Sequence, residues 1–187
     1  MLNHEHYRRL LLSIASGSCR KWNYWRIDHP AILPSLMGVE LAEIKLPRIN
    51  LSRADLSYGN FSGTNLCRAN LQRSNLKGAN LRNSNLQGAD LSGASLRYAN
   101  LMNADLRSAN LVEADLTGAR LAGANLTGAN LRNANLLGSI RIHPEEYREE
   151  GVSLIERTVL RLLKPGIRGR YKPPADSDRP VDLRKRN

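Results

Sequence analysis

The sequence predicts a solenoid built from a five-residue repeat, and three observations predict it. A leucine or its equivalent returns at every fifth residue, from Leu41, Leu46 and Leu51 through Leu56, Phe61 and Leu66 to Leu136. That period fits neither the 3.6-residue turn of a helix nor the two-residue alternation of a strand, so the internal repeat is the structural unit. The position two residues before each leucine is small from Ala54 onward: Gly59, Thr64, Ala69, Ser74, Ala79, Ser84, Ala89, then alanine at every repeat from Ala94 to Ala134. Aromatic residues make up only 5% of the chain, which argues against a core of large interdigitating side chains and for a narrow interior of Leu and Ala.

Residues 1–35 read as an N-terminal helix and an aromatic cap. The apolar positions Leu2, Tyr7, Leu10, Leu11 and Ile14 approximate one face of a helix that Gly17 would stop. The apolar run from Leu10 to Ala15 is shorter than the roughly 7–15 residues of a secretory core, and no run approaches the ~18 of a membrane span. These absences predict a cytoplasmic protein. The only two cysteines, Cys19 and Cys67, form no disulfide framework and fit a reducing compartment. His4 and His6 stand two apart, so they point to different sides of a helix and read as solvated helix-start residues, not as a metal pair. Trp22-Asn23-Tyr24-Trp25-Arg26 concentrates both tryptophans. It reads first as a plug for the open end of a repeat stack, and second as a partner-binding patch through Trp22 and Trp25.

Residues 36–140 carry the array. Pro30 and Pro34 punctuate a connector, and three less regular repeats with bulkier Val39, Ile44 and Ile49 precede seventeen clean ones centred on Leu56 to Leu136. The units Ala54-Asp55-Leu56, Ala69-Asn70-Leu71, Ala79-Asn80-Leu81 and Ala129-Asn130-Leu131 resemble the A-(D/N)-L-x-x unit of the pentapeptide-repeat family. Trp22-Asn23-Tyr24-Trp25-Arg26 resembles a W-N-x-W-R element that precedes such repeats in cyanobacterial members. The resemblance implies an all-β solenoid, a right-handed quadrilateral β-helix in which four pentapeptides make one square coil. Twenty repeats would make about five coils, a rod of roughly 24 Å at strand-like spacing, with short α-helical caps at both ends because a solenoid end exposes backbone edges.

Folded modulo twenty, the outward positions form vertical columns. The residue before each leucine is mostly asparagine, as in Asn60, Asn80 and Asn100, and stacked amides can hydrogen-bond into ladders. Asp55, Asp90, Asp105 and Asp115 share this position but never occupy adjacent coils of one column, which avoids like charges at strand spacing. They read as solvated structure. Catalysis would need a closely placed titrating pair or a nucleophile beside a base, and no such group can be named. The expectation is a non-enzyme with no cofactor and no metal. Positive charge does stack: Arg48 with Arg68, Arg53 with Arg73, and Lys77 with Arg97. Splayed, solvated side chains account for this simply, and an acidic partner on the first coils is the functional alternative. Cys67 reads as a lone, partly exposed thiol.

Residues 141–164 read as a helical cap, with Pro144 and the acids Glu145, Glu146, Glu149 and Glu150 at a helix start, and with an apolar stripe of Leu154, Ile155, Val159, Leu162 and Leu163 in a second helix. A homodimer through residues 143–164 is the alternative use of that stripe. Residues 165–187 are basic and poor in apolar groups, and predict disorder. With a formal net charge of +11, attraction to nucleic acid, anionic lipid or acidic protein follows, without specificity. A protein-interaction or scaffold module is the leading function. Nucleic-acid or anionic-membrane binding through basic faces and tail comes second. DNA gyrase modulation by duplex mimicry, as in the resistance branch of the family, comes last: mimicry needs an acidic rod, whereas residues 36–140 hold eleven Lys and Arg against seven Asp and Glu.

Overall fold

A chain that turns every five residues leaves room for little extended backbone on each side, and the computed structural model, which describes residues 3–139, shows the result. The coils pair through single-residue parallel bridges in steps of twenty, from Ser35 with Asp55 and Glu40 with Asn60 to Asp115 with Asn135. Among the described residues no run pairs over enough length to make a named strand. The all-β expectation is corrected to that extent, because a turn on every side interrupts the ladder. The coil-to-coil hydrogen bonds are nonetheless regular. On a typical side the leucine N–H donates to the next coil (Leu51 to Asn70 O, 2.8 Å), as does the residue two further on (Arg53 to Gln72 O, 2.8 Å), while Asn70 N–H donates back to Ile49 O at 2.9 Å.

Each leucine also closes a four-residue turn, as when Ala69 N–H donates to Leu66 O at 2.9 Å. The residue two after the leucine takes positive φ, for instance +58° at Arg48 and +55° at Arg68, the backbone that the third residue of a type II turn requires. The residue just after the leucine has an N–H that the coil ladder does not use. The preceding Asn or Asp side chain accepts it, as when Ser57 N–H and Oγ donate to Asp55 Oδ1 at 3.1 and 2.7 Å. Asparagine and aspartate therefore serve as turn formers. Amide ladders form between coils as well: Asn80 Nδ2 donates to Asn60 Oδ1 at 3.2 Å, and Asn75 and Asn110 do the same to Asp55 and Asp90.

Leucines and small residues fill the interior, with Leu36 through Leu116 essentially inaccessible. Inward hydroxyls are satisfied by backbone carbonyls: Ser74 and Ser84 donate to Leu71 and Leu81 O within their own turns, and Thr64 donates to Leu41 O of the preceding coil.

The first coil is closed by two helices. α1 (His4–Ala15) is capped by the Asn3 side chain, which accepts from Glu5 and His6 N–H, and α2 (Arg20–Asp28) packs against it. The exposed edge of a solenoid carries backbone groups that lack a preceding coil, and these helices supply the partners. Where Asn70 O receives Leu51 N–H, the edge residue Asn50 O receives Trp22 Nε1–H at 2.7 Å. Where Asn70 N–H finds a backbone carbonyl, Asn50 N–H finds Asn23 Oδ1 at 2.9 Å. Where Gln72 O receives Arg53 N–H, Ser52 O receives Arg26 Nη2 at 3.1 Å. On the adjoining side Asn3 N–H donates to Ser35 O and His6 Nδ1 accepts from Ser35 N–H. Side chains thus stand in for a missing coil. The expected C-terminal helices at 141–164, the dimer segment and the basic tail lie outside the described residues.

Candidate interaction surface

The coil geometry sorts the sequence-predicted candidates into residues consumed by the fold and residues left to solvent. Trp22 and Trp25 belong to the first group, with exposures of 1% and 8%. They are corrected as a partner patch: their rings pack on each other at 5.0 Å between centroids, and the Trp22 N–H is spent on Asn50. Asn23 also donates to Arg48 O at 2.9 Å. Arg26, which sequence reasoning left undistinguished, is buried as well. Burial, then the charge of Arg53, lowers its pKa from the usual guanidinium value, and its Nη1 donates to Ile32 O at 2.6 Å.

His6 is a second correction. It is half-buried against Trp25 at 5.4 Å between ring centroids, and accepting the Ser35 N–H at Nδ1 requires the neutral ring. Burial is the largest cause that pushes its pKa below the ordinary histidine value.

Arg48, Arg53, Arg68 and Arg73 belong to the exposed group. All four occupy the positive-φ turn position, at +54° to +58°, on two adjoining corners of the first coils. The ion pairs among the described residues are Arg9–Glu5, Arg97–Asp115 and Arg107–Asp105, so these four arginines are in none of them. The stems of Arg68 and Arg73 run beside Gly88 and Gly93, one coil on. Lys77 is exposed. Arg97 is not a free member of a like-charge stack with it, since its Nη1 meets Asp115 Oδ2 at 3.0 Å and its guanidinium sits 5.7 Å from the Tyr98 ring centroid.

The carboxylates are committed to turns. At Asp90 burial opposes ionisation, but hydrogen bonds from Gln72, Ser92 and Asn110 outweigh it and hold the carboxyl below its usual range. Asp115 behaves alike: burial is outweighed by Thr117 and Arg97. At Asp105 the hydrogen bond from Arg107 dominates. Acids so disposed are ionised at neutral pH and hold no proton to donate. Among the described residues no group of three or more His, Cys, Asp or Glu is placed to hold a metal ion. Cys19 and Cys67 are both free and half-buried, and burial raises the Cys19 thiol.

Sequence reasoning missed Tyr58 and Tyr98. They share one column two coils apart, are 57% and 58% exposed, and are each followed twenty residues later by glycine, Gly78 and Gly118. That tyrosine-then-glycine step was a readable signal.

The five-residue repeat itself is shared with known proteins. The pentapeptide repeats profile matches residues 35–73, 74–111 and 99–138, in eight copies. The chain is similar to HetL, a pentapeptide repeat protein involved in heterocyst differentiation regulation in the cyanobacterium Nostoc sp. strain PCC 7120, with 36% identity over 60% of this chain and a TM-score of 0.46. It spans 56% of that relative's length. It is also similar to Rfr23 of the cyanobacterium Cyanothece 51142, with 29% identity, 62% of this chain and 94% of that one covered, and a TM-score of 0.46. A pentapeptide repeat protein of the Arabidopsis thaliana thylakoid lumen aligns with 26% identity over 60% of this chain and 71% of its own, at a TM-score of 0.42. No curated protein matches the sequence.

Proposed function

The chain belongs to the pentapeptide-repeat family, and from that premise we propose that it is a non-catalytic protein-interaction module acting through the outward columns of its rod. We read the rod as a right-handed stack of about five coils with helical caps at both ends, working in the cytoplasm. The observation that carries the reading is the pair of corners formed by Arg48, Arg53, Arg68 and Arg73, exposed and outside every ion pair of the described residues. Like charges on backbones stacked about 4.8 Å apart repel unless solvent or an anion separates them, so an acidic protein surface gains most by binding there.

Two features support the non-catalytic reading. The carboxylates serve turns in their ionised form, and the small residues and leucines serve the interior. Among the described residues no helix is long and apolar enough to cross a membrane.

Affinity capture from native lysate tests the reading. The wild type is expected to retain an acidic protein that is lost when Arg48, Arg53, Arg68 and Arg73 are changed to Ser, a residue the fold already accepts at Ser108 in the same turn position. Undiminished binding by the variant sinks it. Nucleic acid or anionic lipid retained in place of protein, and released steeply with salt, would favour the polyanion reading of the same arginines.

A further inference from the structure

Every large apolar side chain that the described coils leave exposed lies on one of their four sides. Met37, Tyr58, Tyr98 and Leu137 all follow, by one or two residues, a leucine of the column Leu36, Leu56, Leu76, Leu96, Leu116 and Leu136. On this side the tyrosines are held in place. A Cβ on Gly78 would lie 2.8 Å from the Tyr58 ring, and one on Gly118 would lie 2.6 Å from the Tyr98 ring. Each ring therefore lies down on the next coil, where only glycine leaves room, and shows its other surface to solvent. Arg97, bonded to Asp115, braces Tyr98.

We propose that this side docks an acidic amphipathic helix of a partner protein, laid along the rod with apolar residues seven apart seated at Tyr58 and Tyr98. The inference rests on the interaction-module reading and names its surface and partner. Spacing selects the helix. The two tyrosines are two coils apart, about 9.6 Å at roughly 4.8 Å per coil. Positions i and i+7 of a helix lie on one face about 10.5 Å apart. A strand presents same-face residues at about 6.7 and 13.4 Å and matches neither way. Charge selects the acidity: Lys77 stands on the coil between the two tyrosines, and Arg53 and Arg73 occupy the adjoining corner. Protein is favoured over nucleic acid, because Leu137 extends the strip with an aliphatic group, 62% exposed, which an apolar side chain covers and a phosphate backbone does not.

The test selects ligands from a library of random sixteen-residue peptides on the full chain, and then measures the selected peptides on a Tyr58→Asn/Tyr98→Asn variant. Asparagine already occupies this turn position at Asn83, Asn103 and Asn133, so the variant keeps the backbone. The expected peptides are acidic, carry apolar residues seven apart, become helical on binding, and bind the variant at least tenfold more weakly. Peptides lost only when Arg48, Arg53, Arg68 and Arg73 are changed to Ser would overturn the tyrosine surface while leaving the interaction module standing. No enrichment on any form would count against both. Tyrosine-dependent binding of a ten-nucleotide single strand tighter than of any peptide, or tyrosine-dependent self-association in sedimentation, would also overturn the proposal by naming another occupant.

Discussion

The N-terminal cap and the tyrosine side each set an arginine beside an aromatic ring and put the pair to opposite uses. In the cap, Trp22 is 1% exposed and Arg26 4%, and their polar atoms replace the backbone of a coil that is not there. On the tyrosine side, Tyr98 is 58% exposed, with Arg97 across its ring. An aromatic next to an arginine thus says little about function by itself. What decides is whether a neighbouring coil exists to satisfy the backbone: at an edge the fold consumes such residues, and on an interior coil, already bonded above and below, it leaves them to solvent.

The largest effect expected from this contrast is at Trp22. Trp22→Ala should cost about 3–5 kcal/mol, read as a lower urea midpoint, because it empties a packed site and strips Asn50 O of its donor. An unchanged midpoint would mean that the cap is dispensable. Gly118→Ala should cost about 1–2 kcal/mol for placing a side chain at φ +67°. It should also displace Tyr98, visible as altered ring resonances in NMR spectra. Asn23→Ala should cost about 1 kcal/mol, with amide exchange accelerated at Asn50 but not at Asn70, whose partner is backbone.

Acid should act on the cap before it acts on the coils. His6 has a lowered pKa, so the unfolded chain binds its proton more readily. The stability it contributes is present above the ordinary histidine range and is lost as pH falls from about 6.5 toward the lower folded value. The wild-type melting temperature should therefore drop over that window more than that of His6→Gln, whose amide oxygen can still accept from Ser35. The carboxylates Asp90, Asp105 and Asp115, held below their usual range, should surrender their contribution only at more acidic pH. The smallest effect is expected at Tyr98→Gly: relief of the positive φ offsets the lost ring contact, leaving stability within about 0.5 kcal/mol.

Much of this was legible in the sequence because the interior repeats. Leu81 and Ala79 are inward for the same reason as Leu101 and Ala99, and twenty-residue columns anticipated the Asn60–Asn80 ladder. What could not be read depends on contacts that break the repeat. α2 spans Arg20–Asp28, too short for a clear apolar period, so Trp22 to Arg26 read as a plug without a helix. The roles of His6 and Arg26 arise from pairing with Ser35 and Ser52, far along the chain. The Arg97–Asp115 pair departs by two residues from the coil step of twenty, since one stands just after its leucine and the other just before the next coil's. The positive φ at every turn was masked because arginine, tyrosine and glutamate occupy a position that usually announces itself with glycine.

The most direct measurement sets folding beside binding in the same samples, comparing Tyr58→Asn/Tyr98→Asn with Asn23→Ala by thermal melting and by affinity for the peptides selected on the wild type. The account predicts that the tyrosine variant melts with the wild type and loses at least tenfold in affinity, while the cap variant melts lower and, below its melting range, binds as the wild type does. If affinity and melting temperature fall together in the tyrosine variant, or if the cap variant loses binding while still folded, the separation of architecture from recognition is contradicted.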